Sequence, residues 1–422
     1  MEFLDNFILP QSAEHIELLH YMLIVILFIF IPFAGILLGG SILSLVGFNK
    51  SNKNGDENYF QLSKDLIKIV TFNKSAALIF GIVPIAAIVI IYAQLLHTAE
   101  FSIFRYFAWA FILITVAIIF IYSYRSFIAA DSKSFRARLA AIAGIIFLFI
   151  GLWLLTTGIT IPTLFKEWKT SEFFSGIILW QVLSRFIYFI LFAFTLTGGI
   201  VLFSLFEVRG DEENQESEYK KFVRNHILIM TFASGILIPV FALINLFALP
   251  DSSLSGSVFT YGIISLVLLF LGYHFLYLLT KEVKGTVAAL LFFSLVFSVA
   301  ANILSEQKAL KNSTRVQSAI LSNQFVEYIT ELRGENVVPE LNAAEIYQVK
   351  CASCHKWDEK LVGPPHMKVL PKYSGKEAQL VAFIRNPVKV DPEYPPMPNP
   401  GLKPNEADAV AKYLLETYES RK

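Results

Sequence analysis

The sequence predicts an all-α protein: a polytopic bundle of about eight transmembrane helices followed by a small exported helical domain. Three observations lead there. The 422 residues are 55% hydrophobic and only 16% charged, with 39 Phe and a mean hydropathy of +0.57, which lies outside the soluble class and inside the polytopic membrane class. Eight apolar runs are each long enough to cross ~30 Å of hydrocarbon. After residue 304 the character changes, first to a polar stretch and then to a segment of mixed charge. The expected division is a membrane domain over 1–304, a stalk and linker over 305–335, and the small domain over 336–422.

The apolar runs fall at about 19–46, 76–97, 106–124, 139–162, 175–206, 225–249, 257–280 and 285–304. The first is a span and not a cleavable signal. Residues 1–18 carry Glu2, Asp5, Glu14 and Glu17 but no lysine or arginine, the reverse of a signal peptide's positive start. Nothing from Leu18 to Asn49 is formally charged. The seventh and eighth runs are separated only by Lys281-Glu282-Val283-Lys284. In the polar stretch, Gln324 to Ile329 has weak amphipathic spacing, which reads as a helical stalk leading to a linker at Arg333-Gly334-Glu335-Asn336.

Lysine and arginine placement sets the orientation. One set of loops holds Lys50, Lys53, Lys64, Lys68, Lys74, Arg125, Lys133, Arg136, Arg138, Arg209, Lys220, Lys221, Arg224, Lys281 and Lys284, and the other holds only Arg105, Lys166 and Lys169. The first set therefore belongs in the cytoplasm. Eight spans then place both the N-terminus and the C-terminal domain on the opposite side, although Lys308, Lys311 and Arg315 in the stalk run against the rule. A net charge of +1, with no basic run interleaved with aromatics, argues against a nucleic-acid partner.

Chemistry concentrates in Cys351-Ala352-Ser353-Cys354-His355. The C-x-x-C-H pattern is the attachment signature of a c-type haem, in which two thiols add to the porphyrin vinyl groups and the histidine offers an axial nitrogen. Cys351 and Cys354 are the only cysteines. A zinc half-site is the bland alternative, but it needs two further ligands, and His366 is the only nearby candidate. Gly363-Pro364-Pro365 follows the motif, Met397 lies in Tyr394-Pro395-Pro396-Met397-Pro398, and a short helical stretch runs from Glu406 to Leu415. Over about 336–422 this arrangement resembles the class I monohaem cytochromes c. The resemblance implies covalent haem c, His355 as proximal iron ligand, Met397 as distal ligand, and the Pro364 region backing the proximal imidazole. His/Met ligation raises the potential for electron transfer. Met367 is the rival distal ligand, only 12 residues after His355; its other reading is a core gap-filler. Tyr347 and Tyr413 read as core aromatics.

Polar side chains at membrane depth are the remaining candidates. His15, His20 and His97 form an outer layer, with His97 beside Glu100 and Arg105; His226 and His274 form an inner one. A b-type haem takes one or two axial histidines from neighbouring helices, and His20, His97 and His274 are the candidates. Against this stands the reading that interfacial histidines merely reach toward headgroups. Arg185 reads as facing the bundle, near a haem propionate or a quinone oxygen, or else as paired with Glu172.

His20 followed by Ile31 to Ser41, then Phe80 to Pro84 with Tyr92 and Gln94, and Arg185 to Phe189, weakly resemble subunit I of cytochrome bd quinol oxidases and related membrane cytochromes fused to a c domain. That resemblance brings in haem b and a quinone as further cofactors. The chain departs from it where Tyr188 stands in place of an expected histidine, in lacking the long quinol loop, and in lacking a methionine deep in a span. Oxygen reduction is therefore not expected.

The expected function is a membrane-anchored c-type cytochrome in the bacterial inner membrane, carrying electrons from the quinol pool or a partner subunit to a periplasmic acceptor. Its partners would be lipid, other respiratory-complex subunits, and a soluble or membrane redox protein at the outer face. Two other readings stay open: a scaffold subunit in which only the c domain is redox-active, and a bd-like quinol-oxidising subunit with haem b. From Asn336 onward there are 12 basic and 11 acidic residues, a balance that says nothing about the acceptor's charge.

Overall fold

The computed structural model describes residues 11–97, 103–130, 134–164, 173–206, 218–281, 284–333 and 343–422. The described residues are helices and connections, with no strand, and eight helical segments are long and apolar enough to cross a membrane. The chain divides into two compact units. One takes Leu19–Ser313; the other takes Thr314–Lys422 with the described residues of 1–18.

In the first unit, α1 runs Ala13–Asn54, well past the apolar run on both sides. Hydrocarbon offers no partner to a backbone N–H, so a helix is the available way to satisfy each one. α2, Glu57–Val70, is an amphipathic helix that no long apolar run announces. Asp56 caps it by accepting from the Asn58 N–H at 2.9 Å, and Leu62, Leu66, Ile67 and Val70 form its buried face. Ser44 of α1, Ser63 of α2 and Tyr124 close a buried hydrogen-bonded triangle, with Ser44 Oγ to Tyr124 Oη at 3.0 Å.

The second span, α3, runs Lys74–Leu95 and opens with a π-helical stretch over Ala77–Ile82. α4, Phe104–Ala130, and α5, Phe135–Thr160, pack along their lengths, followed by α6, Trp180–Phe206. α1 meets α6 closely at Gly39, where a Cβ would stand 2.9 Å from the Ala193 carbonyl oxygen. The sixth span is broken into α7, Glu218–Gly235, and α8, Ile238–Phe247, just before Pro239. Proline cannot donate to the preceding turn, and the Tyr273 hydroxyl donates to the Gly235 carbonyl at that break. α9, Gly256–Lys281, and α10, Gly285–Ser313, are bonded reciprocally: Ser265 and Ser298 each donate to the other's carbonyl at 2.8 Å.

In the second unit, α11 covers Arg315–Leu332, the expected helical stalk. It is not a bare spacer, because it packs on α13, Glu377–Arg385. Arg385 donates to the Asn323 side-chain oxygen and, at 3.4 Å, to Ser322 Oγ. Of the expected linker, residues 334–336 lie outside the described residues. α12, Ala343–Lys350, packs against the long terminal helix α14, Pro404–Arg421. Pro404 starts α14 with its φ preset and no N–H to leave unsatisfied, and Glu406 reaches back to accept from the Lys403 N–H at 2.8 Å. The core joins Tyr347 and Cys351 of the N-terminal side to Leu380, Ile384, Val410 and Leu414. Tyr413 packs on it, its ring 5.6 Å from that of Tyr347.

Candidate functional site: the thiol pair and its imidazole

α12 delivers the first cysteine. The Cys351 N–H donates to Tyr347 O at 2.9 Å, then Cys354 and His355 N–H donate to Cys351 O at 3.1 and 3.0 Å. The motif is thus one tight turn continuing the helix. Cys351 is buried and Cys354 half-buried, and both are free thiols. Burial pushes the Cys351 thiol up to about 11, with Cys354 adding to the effect, so at neutral pH it stays protonated.

The segment 363–367 closes over this turn. Three backbone bonds fasten it: Gly363 N–H to Cys354 O at 2.8 Å, His366 N–H to Lys356 O at 3.0 Å, and Met367 N–H to Trp357 O at 3.0 Å. His355 Nδ1 lies 3.0 Å from Pro364 O. A carbonyl only accepts, so Nδ1 carries the proton and Nε2 keeps its lone pair. Gly363 makes the approach possible: a Cβ there would stand 2.7 Å from Nδ1 and 2.8 Å from Nε2 of His355. His366 is buried, its ring stacked on that of His355 with centroids 5.0 Å apart and planes at 17°. Burial first, then neighbouring His355, holds the His366 pKa down to about 4, leaving it neutral.

Met397 is half-buried in an irregular stretch held by Pro395, Pro396, Pro398 and Pro400. Three residues before it the buried Tyr394 ring lies under two ammonium groups, Lys360 at 4.6 Å and Lys368 at 5.9 Å. Those lysines come from the chain just after the motif, so Tyr394 fastens the Met397 loop to it. Met367 packs against the apolar core. Among the described residues, no group of three or more His, Cys, Asp or Glu side chains is placed to hold a metal ion.

The membrane candidates separate. His20 is buried in α1, and His97 is half-buried just past the end of α3. His274 is exposed on α9, with its ring beside Phe275, so it faces away from neighbouring helices. His15 is exposed; His226 is bonded to Tyr59 Oη at 3.0 Å and to Phe222 O at 2.9 Å. Tyr188 is buried against Phe192, and Arg185 is buried at 7% exposure. Glu100 and Glu172 lie outside the described residues. Sequence reasoning missed Glu306 and Asn302, which share a cavity with Arg185. The apolar run ends at residue 304, but the helix and its buried face continue to Ser313; Ile303 and Leu310, seven apart and so on one helix face, are the signal that was available.

Two thiols and an imidazole on one turn, with the imidazole tautomer fixed so that Nε2 keeps its lone pair, define a covalent haem carrier of the electron-transfer class. The comparisons with known proteins make this specific. The cytochrome c family model matches residues 341–417. Cytochrome c-551 of Pseudomonas denitrificans is 36% identical over 76 residues, covering 17% of this chain and 92% of that protein. Cytochrome c-551 of Pseudomonas aeruginosa is 35% identical over 68 residues, covering 15% of this chain and 65% of that protein.

The chain belongs to the cytochrome c family through this C-terminal domain, and the domain carries covalent haem c and transfers electrons. The residues fit the group: Cys351 and Cys354 are free, and His355 Nε2 is left as an acceptor. The matched residues stop short of the membrane helices, so the likeness of those helices to cytochrome bd subunit I draws no support from them.

Proposed function

We propose that the chain is a membrane-anchored c-type cytochrome that takes electrons from a membrane hydroquinone or a partner subunit and passes them to an acceptor at the periplasmic face of a bacterial inner membrane. Haem c, when bound, supplies a one-electron iron couple. His355 would bind that iron through Nε2, Cys351 and Cys354 would hold the group covalently, and Met397 would offer its thioether sulfur to the iron. The observation that carries the reading is the 3.0 Å contact between His355 Nδ1 and Pro364 O, which leaves Nε2 as the free ligand atom. Pro364 thereby orients the ring and raises its basicity, the usual task of a second partner on a ligating histidine. The half-buried setting of Met397 within a proline-stiffened loop supports its role as a held, not searching, ligand. The excess of lysine and arginine on the opposite loops supports the periplasmic placement.

The scaffold reading, with redox chemistry confined to the c domain, gains weight from His274, whose outward setting on α9 suits no haem held between helices. The haem b reading rests on His20 and His97. A pyridine haemochrome spectrum of the purified full-length protein decides: haem c alone supports the scaffold or single-haem carrier, whereas haem b beside haem c restores the bd-like reading. Absence of haem c would overturn the proposal.

A further inference from the structure

Several buried side-chain atoms of the eight-helix unit have no hydrogen-bond partner among the described residues, and most gather at one end. Gln94 Oε1 closes α3, Thr160 Oγ1 closes α5, Gln181 Oε1 and Arg185 Nη1 open α6, and Gln307 Oε1 lies near the end of α10. Successive spans alternate in direction, so these helix ends fall on the same side of the bundle. Each unpaired buried atom leaves its loss of hydration uncompensated. Several together mark a place where a polar partner belongs.

A cavity of about 80 Å3 borders two of these residues, Thr160 and Arg185, with Tyr188, Phe189, Asn302 and Glu306 also in its wall and aliphatic side chains around the rest. Arg185 is more than nine-tenths buried, and its Nη1 is one of the atoms without a partner. Asn302 donates to Glu306 Oε1 at 3.2 Å, holding the carboxylate in the wall. Among the described residues, no ion pair joins Arg185 to Glu306. A guanidinium and a carboxylate on one cavity cancel in charge, which disfavours a phosphate or any other anion. They suit a neutral molecule that both accepts and donates hydrogen bonds and arrives through hydrocarbon. The volume bounds the fit. It equals two or three waters at ~30 Å3 each and falls short of the ~300 Å3 of an engulfing pocket. A space of this size takes the oxygen-bearing edge of a ring and not a whole ring with its tail.

We propose that this cleft docks a membrane hydroquinone, with Arg185 donating to one ring oxygen and Glu306 accepting the proton of a hydroxyl. The inference rests on the reading of the chain as a carrier supplied from a hydroquinone pool, and it adds the site. Oxidation breaks two O–H bonds and leaves two C=O groups. Two electrons depart singly, the first to the ferric haem c of this chain and the second to the same haem after the outer-face acceptor has drawn off the first, and two protons pass to water at that end of the bundle, the first through Glu306.

The test uses full-length oxidised holoprotein in nanodiscs, mixed with decylubiquinol and separately with menadiol, with haem c reduction followed at its α band. The wild type is expected to be reduced by at least one of them. Arg185→Leu and Glu306→Gln are expected to react at least about tenfold more slowly, as loss of one charge-assisted hydrogen bond implies, while Arg185→Lys retains most of the rate. Reduction by ascorbate with a soluble mediator should be unchanged in all four, which excludes misfolding. Quinone extracted from the purified protein should be stoichiometric in the wild type and lost in Arg185→Leu. Variants that match the wild type in rate and bound quinone would overturn the site and leave the hydroquinone reading standing. A wild type that ascorbate reduces but neither hydroquinone does, and that retains no quinone, would overturn both, with the cleft holding water only.

Discussion

His355 Nδ1 and the Pro364 carbonyl oxygen stand 3.0 Å apart, and this contact decides which imidazole nitrogen can meet a metal. It depends on the neighbour of Pro364. Gly363 lies so close to the His355 ring that no side chain fits between them. Gly363→Ala must therefore tilt the ring or lift the 363–367 segment from the attachment turn. Overpacking of this kind costs typically 1–3 kcal/mol. The expected outcome is a haem domain that melts earlier by about that amount, with a lowered reduction potential. Thermal unfolding followed by Soret absorption and a redox titration of the full-length protein check both.

The two methionines should separate cleanly. Met397→Ala should abolish the long-wavelength sulfur-to-iron charge-transfer band and lower the potential, because the thioether ligand that raises it is gone. Met367→Ala should keep that band and lose stability by roughly 2 kcal/mol, the low end for methionine truncation, since the side chain is only half-buried in the core. An optical spectrum of each oxidised variant distinguishes them. Loss of the band in Met367→Ala would reverse the assignment.

Asp408 of α14 gives a pH-dependent effect away from the haem. Burial, then Glu327 and Glu377, push its carboxyl above the ordinary value of 3.8, against an opposing pull from Arg385. A carboxyl whose folded-state pKa is raised binds its proton more readily folded than unfolded. Its contribution therefore declines as pH rises from the ordinary value through the raised one and stays lower above. Asp408→Asn should be more stable than the wild type at neutral pH, by at most about 1 kcal/mol for so exposed a cluster. The difference should close as pH falls and vanish below about 4. Urea unfolding at neutral pH and at low pH measures it.

How much of this was legible in the sequence varies by residue. The eight spans were, because charge-free runs such as Leu18 to Asn49 have no other economical structure. The amphipathic helix α2 was not: its buried Leu62, Leu66, Ile67 and Val70 are interleaved with Lys64, Asp65 and Lys68, and a hydropathy reading averages them away. The extension of α10 to Ser313 hid Glu306 inside what read as a stalk, since apolar content stops at residue 304 while burial does not. At the haem site the motif named Cys351, Cys354 and His355 by chemistry. It could not show that Pro364 acts through its backbone carbonyl, because every residue has one and only the fold selects which is used. Tyr394 was visible only as part of the Met397 loop, and its clasp by Lys360 and Lys368 depends on contacts 26 to 34 residues apart in the chain.

The most direct test is mass analysis of the peptide containing Cys351 to His355, isolated from full-length protein made with haem-maturation machinery and treated with a thiol-alkylating reagent before digestion. The account predicts a peptide heavier by one haem, with neither sulfur alkylated. A peptide alkylated at both Cys351 and Cys354 and carrying no haem would contradict it.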